Sequence, residues 1–193
     1  DGQKVIGSKE NISCDSLGIS GGWTPAVHLF TQSGGKLKFR DDDQVFIPNT
    51  YPSNQISIGS CNGDFTLDEI LINTPKLLKE FLNIKKTEYE NIEIYSAFNK
   101  SKRNIWLLPS NKIVGKTKSF VDFQNDATAK DIKLALREGF RSIEHVKRYT
   151  TTGMGTDQGK LGNMHALGII SETASSKMGE LGTTTFRPPY TPL

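Results

Sequence analysis

Cysteine is scarce in this chain, and long hydrophobic runs are absent from it. The two cysteines, Cys14 and Cys61, lie far apart in the sequence, which argues against a disulfide-stabilised scaffold. They are better interpreted as reduced, structural thiols in a cytosolic protein. No apolar stretch approaches the ~20 residues of a membrane-spanning helix, and no secretory signal is recognisable. We therefore expect a cytoplasmic protein that makes no membrane contact.

A strong excess of one charge is also missing. The sequence has 24 lysines and arginines against 21 aspartates and glutamates, a net charge of +3. Asp41, Asp42 and Asp43 dilute the basic residues, and the cations do not concentrate on one predicted face. A surface that binds nucleic acid normally shows such a concentration. We expect no nucleic acid partner, and a free-standing phosphate- or nucleic-acid-binding module ranks last among the alternatives.

Two glycine fingerprints of nucleotide binding are not found. The pattern GxGxxG does not occur. The P-loop pattern GxxxxGK[ST] nearly fits at Gly159 and Lys160, but Met154 occupies the position of its first glycine. Leu161 stands where serine or threonine would bind magnesium. The sequence therefore disfavours a nucleoside triphosphatase.

The side chains that most often carry catalysis are isolated from one another. His28, His145 and His165 have no second imidazole or carboxylate at metal-ligand spacing. Glu138 and Glu144 are scattered acids on predicted helix surfaces. We predict no metal site and assign no catalytic residue.

One segment, residues 145–160, combines cations, hydroxyls and glycines more densely than the rest of the chain. Its sequence is HVKRYTTTGMGTDQGK. A helix with a basic end, a glycine-rich turn and a second helix start can hold a phosphate. Glycine lets the backbone approach the ligand, and a helix N-terminus carries partial positive charge. The alternative is a structural turn without a ligand.

Hydrophobic patterns predict a first part that is rich in strands. Strands are expected at residues 4–6, 11–20, 36–40, 45–47 and 56–58. The last of them leads through a turn of small residues into a helix that starts near Thr66. A strand, such a turn and a helix form the usual dinucleotide cradle of an open α/β sheet. A plain connection from strand to helix is the commoner meaning of the same pattern.

The middle of the chain is charged and poor in glycine and proline. Leu77, Leu78, Phe81 and Leu82 form an apolar stripe that we predict to pack in the core. The apolar residues at 106–108 are expected to form a strand or a buried tie between subdomains.

The last third of the chain is predicted to be helical. Thr128 with Asp131 resembles a capping box, and Ser142 is a suitable N-cap for a second helix. A third helix is expected to begin near Asp157 and to bury three apolar side chains: Leu161, Met164 and Leu167.

Both ends suggest a piece of a longer polypeptide. The chain opens on Asp1 without a methionine. It closes on a proline-rich run at residues 186–192, which suits a linker between domains.

Two long stretches of this chain resemble the α subunit of heterotetrameric sarcosine oxidase. They are the run at residues 120–163 and the sequence GTTTFRPPYTP at residues 182–192. SGGWTPAVHL at residues 20–29 and GSCNGDFTL at residues 59–67 resemble the end of that subunit's dinucleotide-binding domain. The resemblance covers roughly four-fifths of the chain, and residues 70–105 match poorly.

The resemblance implies a fold class and a division into domains. The fold would be α+β or α/β, with the C-terminal part of an FAD/NAD-type dinucleotide-binding domain followed by a small all-helical domain. The implied domains are the end of the dinucleotide-binding domain (1–74), a connecting segment (75–118), the helical domain (119–181) and a linker (182–193).

The resemblance also implies an activity that belongs to a complex. In this family the α subunit holds NAD, while a flavin-bearing β subunit carries FAD and a covalently attached FMN at the interface. The heterotetramer oxidises sarcosine with oxygen and tetrahydrofolate, giving glycine, hydrogen peroxide and methylenetetrahydrofolate. Tetrahydrofolate would bind in a domain absent from this chain. The chain would then belong to a flavin-dependent oxidoreductase acting on CH–NH groups and would be inactive alone.

Candidate binding residues follow from the same resemblance. Gly59 would allow the NAD pyrophosphate to approach, while Asp64 and Thr66 would hydrogen-bond to NAD near the helix start. Simple helix capping is the alternative for these residues. The candidates for the FMN phosphate and the β-subunit face are Lys147, Arg148, Thr150, Thr151, Gln158 and Lys160. Their alternative is a solvated helix end.

The helical part also resembles the bacterioferritin-associated ferredoxin module, which binds a [2Fe–2S] cluster through CxC and CxxxxC. Alignment on Thr128 places Asp122 and Gln124 at the first cysteine pair. Asp157 and Gly162 fall at the second pair. Because such a cluster needs thiolates, we expect the fold without the cluster.

A related enzyme is the main alternative to sarcosine oxidase. The chain could be the corresponding subunit of another flavin-dependent amine or amino-acid dehydrogenase, such as a proline or dimethylglycine enzyme. The flavoprotein partner would then select a different substrate.

Overall fold

The computed structural model describes residues 6–8, 10–18, 21–52, 54–85, 104–109 and 118–184. Its helices are α1 (His28–Gln32), α2 (Leu67–Phe81), α3 (Ala129–Arg137), α4 (Ile143–Thr150), α5 (Asn163–Ala174) and α6 (Met178–Leu181). Its strands are β1 (Lys36–Arg40), β2 (Val45–Thr50), β3 (Phe120–Asp122) and β4 (Ala127–Thr128), and a 3₁₀ turn spans Gly59–Asn62.

Strands β1 and β2 form an antiparallel hairpin, as their alternating pattern predicts. Phe39 lies opposite Phe46, and their rings meet edge to face at 5.1 Å. Strand β2 continues through Pro48, beyond the predicted end at residue 47. Pro48 has no N–H to donate, and it pairs with Leu37 where the register shifts. The irregularity allows proline inside the strand.

The other strands predicted in the first part do not form where the structure can be judged. Residues 11–18 and 56–58 have no strand partner among the described residues, and the prediction for them was wrong. The apolar side chains of Ile12 and Leu17 are 79% and 76% exposed, although their spacing suggested burial. Of the remaining predicted positions, Ile6 is not in a strand, while residues 4–5 and 19–20 lie outside the described residues.

Helix α2 begins where its sequence predicts but does not bury its whole apolar stripe. Thr66 is the N-cap, and its hydroxyl and the Glu69 carboxylate form a reciprocal capping box. Leu77 and Leu78 are half-buried, whereas Phe81 and Leu82 are exposed. The prediction of core packing was wrong for these last two residues, which lie at the C-terminal end of the helix.

Helices α3, α4 and α5 pack together and provide most of the hydrophobic core. The predicted capping box of Thr128 and Asp131 starts α3, and α4 follows Ser142. The most deeply buried large side chains are Ile132, Val146, Leu167, Ile169 and Ile170. Burial of one such aliphatic side chain contributes about 1.5–3 kcal/mol, so this cluster accounts for much of the stability.

The helical part differs from the sequence prediction at two points. It is not all-helical, because the antiparallel hairpin β3–β4 precedes α3 and buries Val121 and Ala127. The third large helix starts at Asn163 instead of near Asp157. The residues between Asp157 and Gly162 form turns, and Leu161 is consequently 75% exposed instead of buried.

The first and last parts of the chain share one core. Phe46 from β2 belongs to the same buried cluster as the residues of α3, α4 and α5. Trp106 and Leu107 also pack against this cluster, which confirms the predicted buried tie for these two residues, although no strand forms there. For Leu108, which is 77% exposed, the prediction was wrong. A Cβ on Gly168 would lie 2.1 Å from Trp106 Cδ2, so the tie needs glycine in α5. The predicted domain boundaries stay predictions.

In the part of the chain that the structure describes, no helix is both long enough and apolar enough to cross a bilayer.

Candidate functional site

The loop between α4 and α5, residues 151–162, has a tightly constrained path. Four of its residues have positive φ angles, between 51° and 77°: Thr151, Gly153, Gln158 and Gly159. A Cβ on Gly153 or on Gly159 would approach Asn163 Oδ1 to 2.3 or 2.2 Å. Glycine is therefore needed at both positions, because the positive φ angle and the lack of space for a Cβ both disfavour any other residue. The α4–α5 loop packs closely over the first residue of α5.

The threonines of the segment divide between the interior and the surface. Thr150 and Thr152 are buried, and their hydroxyl oxygens lie 2.7 Å apart in a hydrogen bond. The Thr150 hydroxyl also lies 2.8 Å from the Val146 carbonyl oxygen. Thr151 is exposed, and its hydroxyl donates to the carbonyl of Thr150 at 2.6 Å. Of the two threonines predicted to bind phosphate, only Thr151 reaches the surface.

The predicted cations lie on both sides of the α4–α5 loop. Lys147 and Lys160 are half-buried, whereas Arg148 is exposed. Arg148 forms an ion pair of 3.1 Å with Glu144 and donates to the Glu144 carbonyl. Burial, and then the positive charge of Lys160, lower the pKa of His28. The field of Lys160 thus reaches α1.

Gln158 and Asp157 stabilise turns inside the α4–α5 loop. Gln158 donates its side-chain amide to the carbonyl of Gly155 at 2.8 Å. The Asp157 carboxylate accepts the backbone N–H groups of Gly159 and Leu161 at 3.2 and 3.1 Å. Asp157 therefore closes a local turn, which explains why the sequence suggested a helix start there.

Asp122 connects the β3–β4 hairpin to the α4–α5 loop. It is buried, and its carboxylate accepts backbone N–H groups of Gln124, Asn125 and Gly153 at 2.9, 3.1 and 2.7 Å. Desolvation alone would raise the pKa of Asp122. The bonds from Gly153, Asn125 and Gln124 outweigh burial and hold this pKa below its ordinary value.

Two further side chains of the hairpin reach the α4–α5 loop. Gln124 donates to the Thr156 hydroxyl at 2.7 Å and accepts the backbone N–H of Thr156. Asn125 donates to the carbonyl of Thr151 at 3.2 Å. We call these contacts, together with the bond from Gly153 to Asp122, the hairpin clamp.

The chemistry of the hairpin clamp does not suit an iron–sulfur cluster. Asp122 and Gln124 occupy the first pair of positions aligned with cysteines, and both use their oxygen atoms to accept N–H groups. The free cysteines of the described residues, Cys14 and Cys61, lie elsewhere in the chain. Among the described residues, no three His, Cys, Asp or Glu side chains form a group that could hold a metal ion.

A second group of predicted residues lies at the start of α2. Gly59 begins the 3₁₀ turn with a φ of 67°, and Thr66 caps α2 by accepting the Glu69 N–H. Asp64 is buried. Its Oδ1 accepts the Asn73 amide at 2.9 Å, while its Oδ2 has no hydrogen-bond partner among the described residues.

Sequence reasoning missed the residues that support this second group. Arg40 from β1 donates to the carbonyl of Gly63 at 2.7 Å and pairs with Asp43. A Cβ on Gly63 would approach the Arg40 guanidinium to 2.9 Å, so glycine makes room for this contact. The contact joins residues 23 positions apart, and no local pattern reveals it.

The predicted residues lie in two separate places. Gly59, Asp64 and Thr66 lie around the start of α2, and the remaining candidates lie around the α4–α5 loop. Each place combines backbone turns with polar side chains. Such arrangements suit anionic or hydroxyl-bearing ligands better than they suit bond-making chemistry.

The fold is similar to that of part of a larger solved protein chain. The structure resembles the crystal structure of L-proline dehydrogenase from P. horikoshii with a TM-score of 0.54 and 20% identity. The similarity covers 89% of this chain and 36% of that chain.

Sequence comparison identifies the family. Residues 116–193 match the sarcosine oxidase A3 domain. The chain is 36% identical over 192 residues to the sarcosine oxidase α subunit of Rhizobium meliloti (strain 1021), covering 97% of this chain and 19% of that protein. An opine oxidase subunit of the same organism is 34% identical over 68 residues, 35% of this chain and 15% of that protein.

The chain thus belongs with the α subunits of sarcosine oxidase, as the resemblance in its sequence predicted. It spans about a fifth of the length of the sarcosine oxidase α subunits that it matches.

Proposed function

We propose that this chain is a non-catalytic part of a sarcosine oxidase α subunit that helps to bind NAD and to form the interface with a flavin-bearing β subunit. The match to sarcosine oxidase α subunits over nearly the whole chain supports this most strongly. The complete heterotetramer would convert sarcosine, oxygen and tetrahydrofolate to glycine, hydrogen peroxide and methylenetetrahydrofolate. Tetrahydrofolate would bind elsewhere in the complete subunit.

The α4–α5 loop and the cations beside it would hold the phosphate of FMN. Lys147 and Arg148 supply charge from the last turn of α4, and Lys160 supplies it from the other side of the loop. The exposed Thr151 and the half-buried Gln158 both adopt positive φ angles beside them. Charge-assisted hydrogen bonds from such groups favour phosphate oxygens. Thr150 would contribute indirectly, because its buried hydroxyl stabilises the start of the loop.

The start of α2 would contribute to NAD binding. The unpartnered, buried Oδ2 of Asp64 is suited to accept a ribose hydroxyl, since a buried carboxylate oxygen is costly without a donor. Gly59, which has a positive φ and no side chain, would allow a phosphate to approach the backbone. Thr66 already caps α2, but its hydroxyl retains a proton to donate.

A paired substitution tests the phosphate site in the complex of the complete α subunit with its β subunit. Lys147→Ala with Arg148→Ala is expected to lower FMN content, because both cations would lie beside the phosphate. The matched control is Lys130→Ala with Arg137→Ala on α3, which removes the same charges from exposed positions. Equal FMN content in both double variants and in the unaltered complex would remove Lys147 and Arg148 from the site.

A second candidate function is that of the corresponding subunit of another flavin-dependent amine or amino-acid dehydrogenase. The match of about a third of the chain to the opine oxidase subunit favours it. Turnover of sarcosine, an opine and L-proline by the assembled complex separates the two candidates. Peroxide formation on sarcosine alone supports the first, and exclusive turnover of another substrate supports the second.

A further inference from the structure

The hairpin clamp lies where the ferredoxin module that this part of the sequence resembles would hold its cluster. Asp122 and Gln124 stand at the first aligned cysteine pair: Asp122 is the last residue of β3, and Gln124 lies on the turn that follows. Their partners Gly153 and Thr156 lie on the α4–α5 loop, 31 and 32 residues further along the chain. In the ferredoxin module, thiolates from these two segments would bind iron. Here hydrogen bonds connect the two segments instead.

Asp122 is the centre of this connection. One carboxylate gathers three backbone N–H groups and, at 3.3 Å, the side-chain amide of Asn125. It is buried, so these bonds operate in a medium that strengthens them. No lysine or arginine is among its hydrogen-bond partners in the described chain. The negative charge is balanced by N–H dipoles, which fixes backbone positions more closely than one mobile cation does.

The position of Gly153 decides the path of the α4–α5 loop. Its N–H is bonded to Asp122, and its Cα face packs on Asn163. Gly155 has no room for a side chain, because a Cβ would lie 2.1 Å from Gln124 Oε1. The residues proposed to hold phosphate precede and follow this fixed stretch. Their spacing therefore depends on the bond between Asp122 and Gly153.

We propose that Asp122 is a positioning residue for the phosphate-binding loop, and that the hairpin clamp replaces a metal cluster as the connection between the hairpin and that loop. The phosphate part of this role rests on the proposed function, whereas the connection itself does not. The ligand chemistry is the 5′-phosphate of a flavin, and Asp122 acts on it only through the loop.

Hydrogen exchange in the complete α subunit without flavin tests the connection. Asp122→Asn is expected to accelerate amide exchange in residues 151–158 by about tenfold or more, because an amide accepts fewer N–H groups than a carboxylate. Asp126→Asn is the matched control: it makes the same change at an exposed position of the same hairpin, where asparagine tolerates the positive φ. Exchange in α3 should stay unchanged.

Unchanged exchange of residues 151–158 in Asp122→Asn would overturn the connection. Equal acceleration throughout α3 would also overturn it, since Asp122 would then support the fold as a whole. Gln124→Met is a milder second variant that keeps the side-chain length and loses both bonds to Thr156. Gln124→Met is expected to accelerate amide exchange at Thr156. This acceleration should be smaller than the acceleration at Gly153 in Asp122→Asn. Unchanged exchange at Thr156 would contradict the clamp even if Asp122→Asn does not fold.

A comparison of two flavins tests the positioning role in the complex formed with flavin-free β subunit. Asp122→Asn should raise the concentration of FMN needed for the half-maximal rate of flavin attachment by about tenfold and leave that of riboflavin unchanged, because only FMN carries the phosphate. A retained preference for FMN in Asp122→Asn overturns the positioning role and leaves the proposed function standing. No preference for FMN in the unaltered complex overturns the proposed phosphate site, while the exchange experiment still decides the connection.

Discussion

The region before residue 85 and the region after residue 118 follow their sequence patterns to different degrees. In the later region, capping residues and helical periodicity predict α3 and α4 correctly, and the apolar faces are buried as expected. In the earlier region, two of the strands predicted from apolar residues are not formed within the described residues. A helix satisfies its hydrogen bonds within one segment, whereas a strand needs a partner. Local pattern is therefore more reliable for the helical region.

The comparison implies that truncation of one aliphatic side chain to alanine lowers the free energy of unfolding much more in the later region than in the earlier one. Ile132→Ala in α3 is expected to lower the free energy of unfolding by about 2–5 kcal/mol, because Ile132 is fully buried. Leu67→Ala at the start of α2 should change it by no more than about 0.5 kcal/mol, because Leu67 is 63% exposed. Urea unfolding followed by circular dichroism measures both. Similar losses of unfolding free energy in Ile132→Ala and Leu67→Ala would contradict the difference between the regions.

The tie between the middle segment and α5 should show the next largest effect. Gly168→Ala is expected to destabilise the protein by about 1–3 kcal/mol, because the added methyl group would overlap the Trp106 ring. Helix propensity alone would favour alanine. Gly179→Ala on α6, where a Cβ would lie 3.3 Å from Phe39 Cβ, is a milder control. Thermal unfolding followed by tryptophan fluorescence would detect the loss, and a stabilising Gly168→Ala would refute the close contact.

The two capping boxes allow a direct comparison of the regions. Thr128→Ala and Thr66→Ala each remove a hydroxyl that accepts a backbone N–H, at a cost of about 1 kcal/mol. In α3 this loss should appear in the unfolding of the whole core. In α2, which buries no residue completely, it should appear as faster amide exchange of α2 alone. If Thr128→Ala and Thr66→Ala accelerated amide exchange in the same residues, α2 would not unfold separately from the core.

The smallest expected effect is the acid dependence of the hairpin clamp. The pKa of folded Asp122 lies below the ordinary value of 3.8 for an aspartate, so its ionised form stabilises the folded state. This contribution is fully present above that ordinary value and is lost as the pH falls through the folded pKa. Amide exchange of residues 151–158, corrected for intrinsic rates, should therefore accelerate at pH values below about 4. Asp122→Asn should lack this acid-dependent step, and an unchanged step would assign it to another carboxylate.

Individual residues show what the sequence alone could reveal. Thr128 and Asp131 act within four positions of each other, so their capping box is visible without a structure. Asp157 was misleading because its carboxylate accepts N–H groups of a turn, a pattern that also occurs at a helix start. The Asp122 contact to Gly153 spans 31 residues and leaves no local trace. In the sequence, Asp122 was notable only because cysteine was missing there.

The sequence indicated where the candidate site lies, but it did not indicate how the residues of that site are arranged. The crowding of threonine, glycine and cations at residues 145–160 indicated the α4–α5 loop. Composition could not show that Thr150 is buried while Thr151 is exposed, because this depends on the positive φ at Thr151. Nor could it show the unpartnered oxygen of Asp64, which depends on how Asn73 meets it from α2.

The hydrogen bond between Asn163 and Thr184 anchors the segment after α6 to the start of α5. The Asn163 amide donates to the buried Thr184 hydroxyl at 2.7 Å, and the same side chain supports Gly153 and Gly159. Asn163 is the first residue of α5, so a displacement of Thr184 would be transmitted through this bond to the start of α5 and to the glycines packed on it. The segment after α6 and the α4–α5 loop are therefore mechanically coupled through a single side chain.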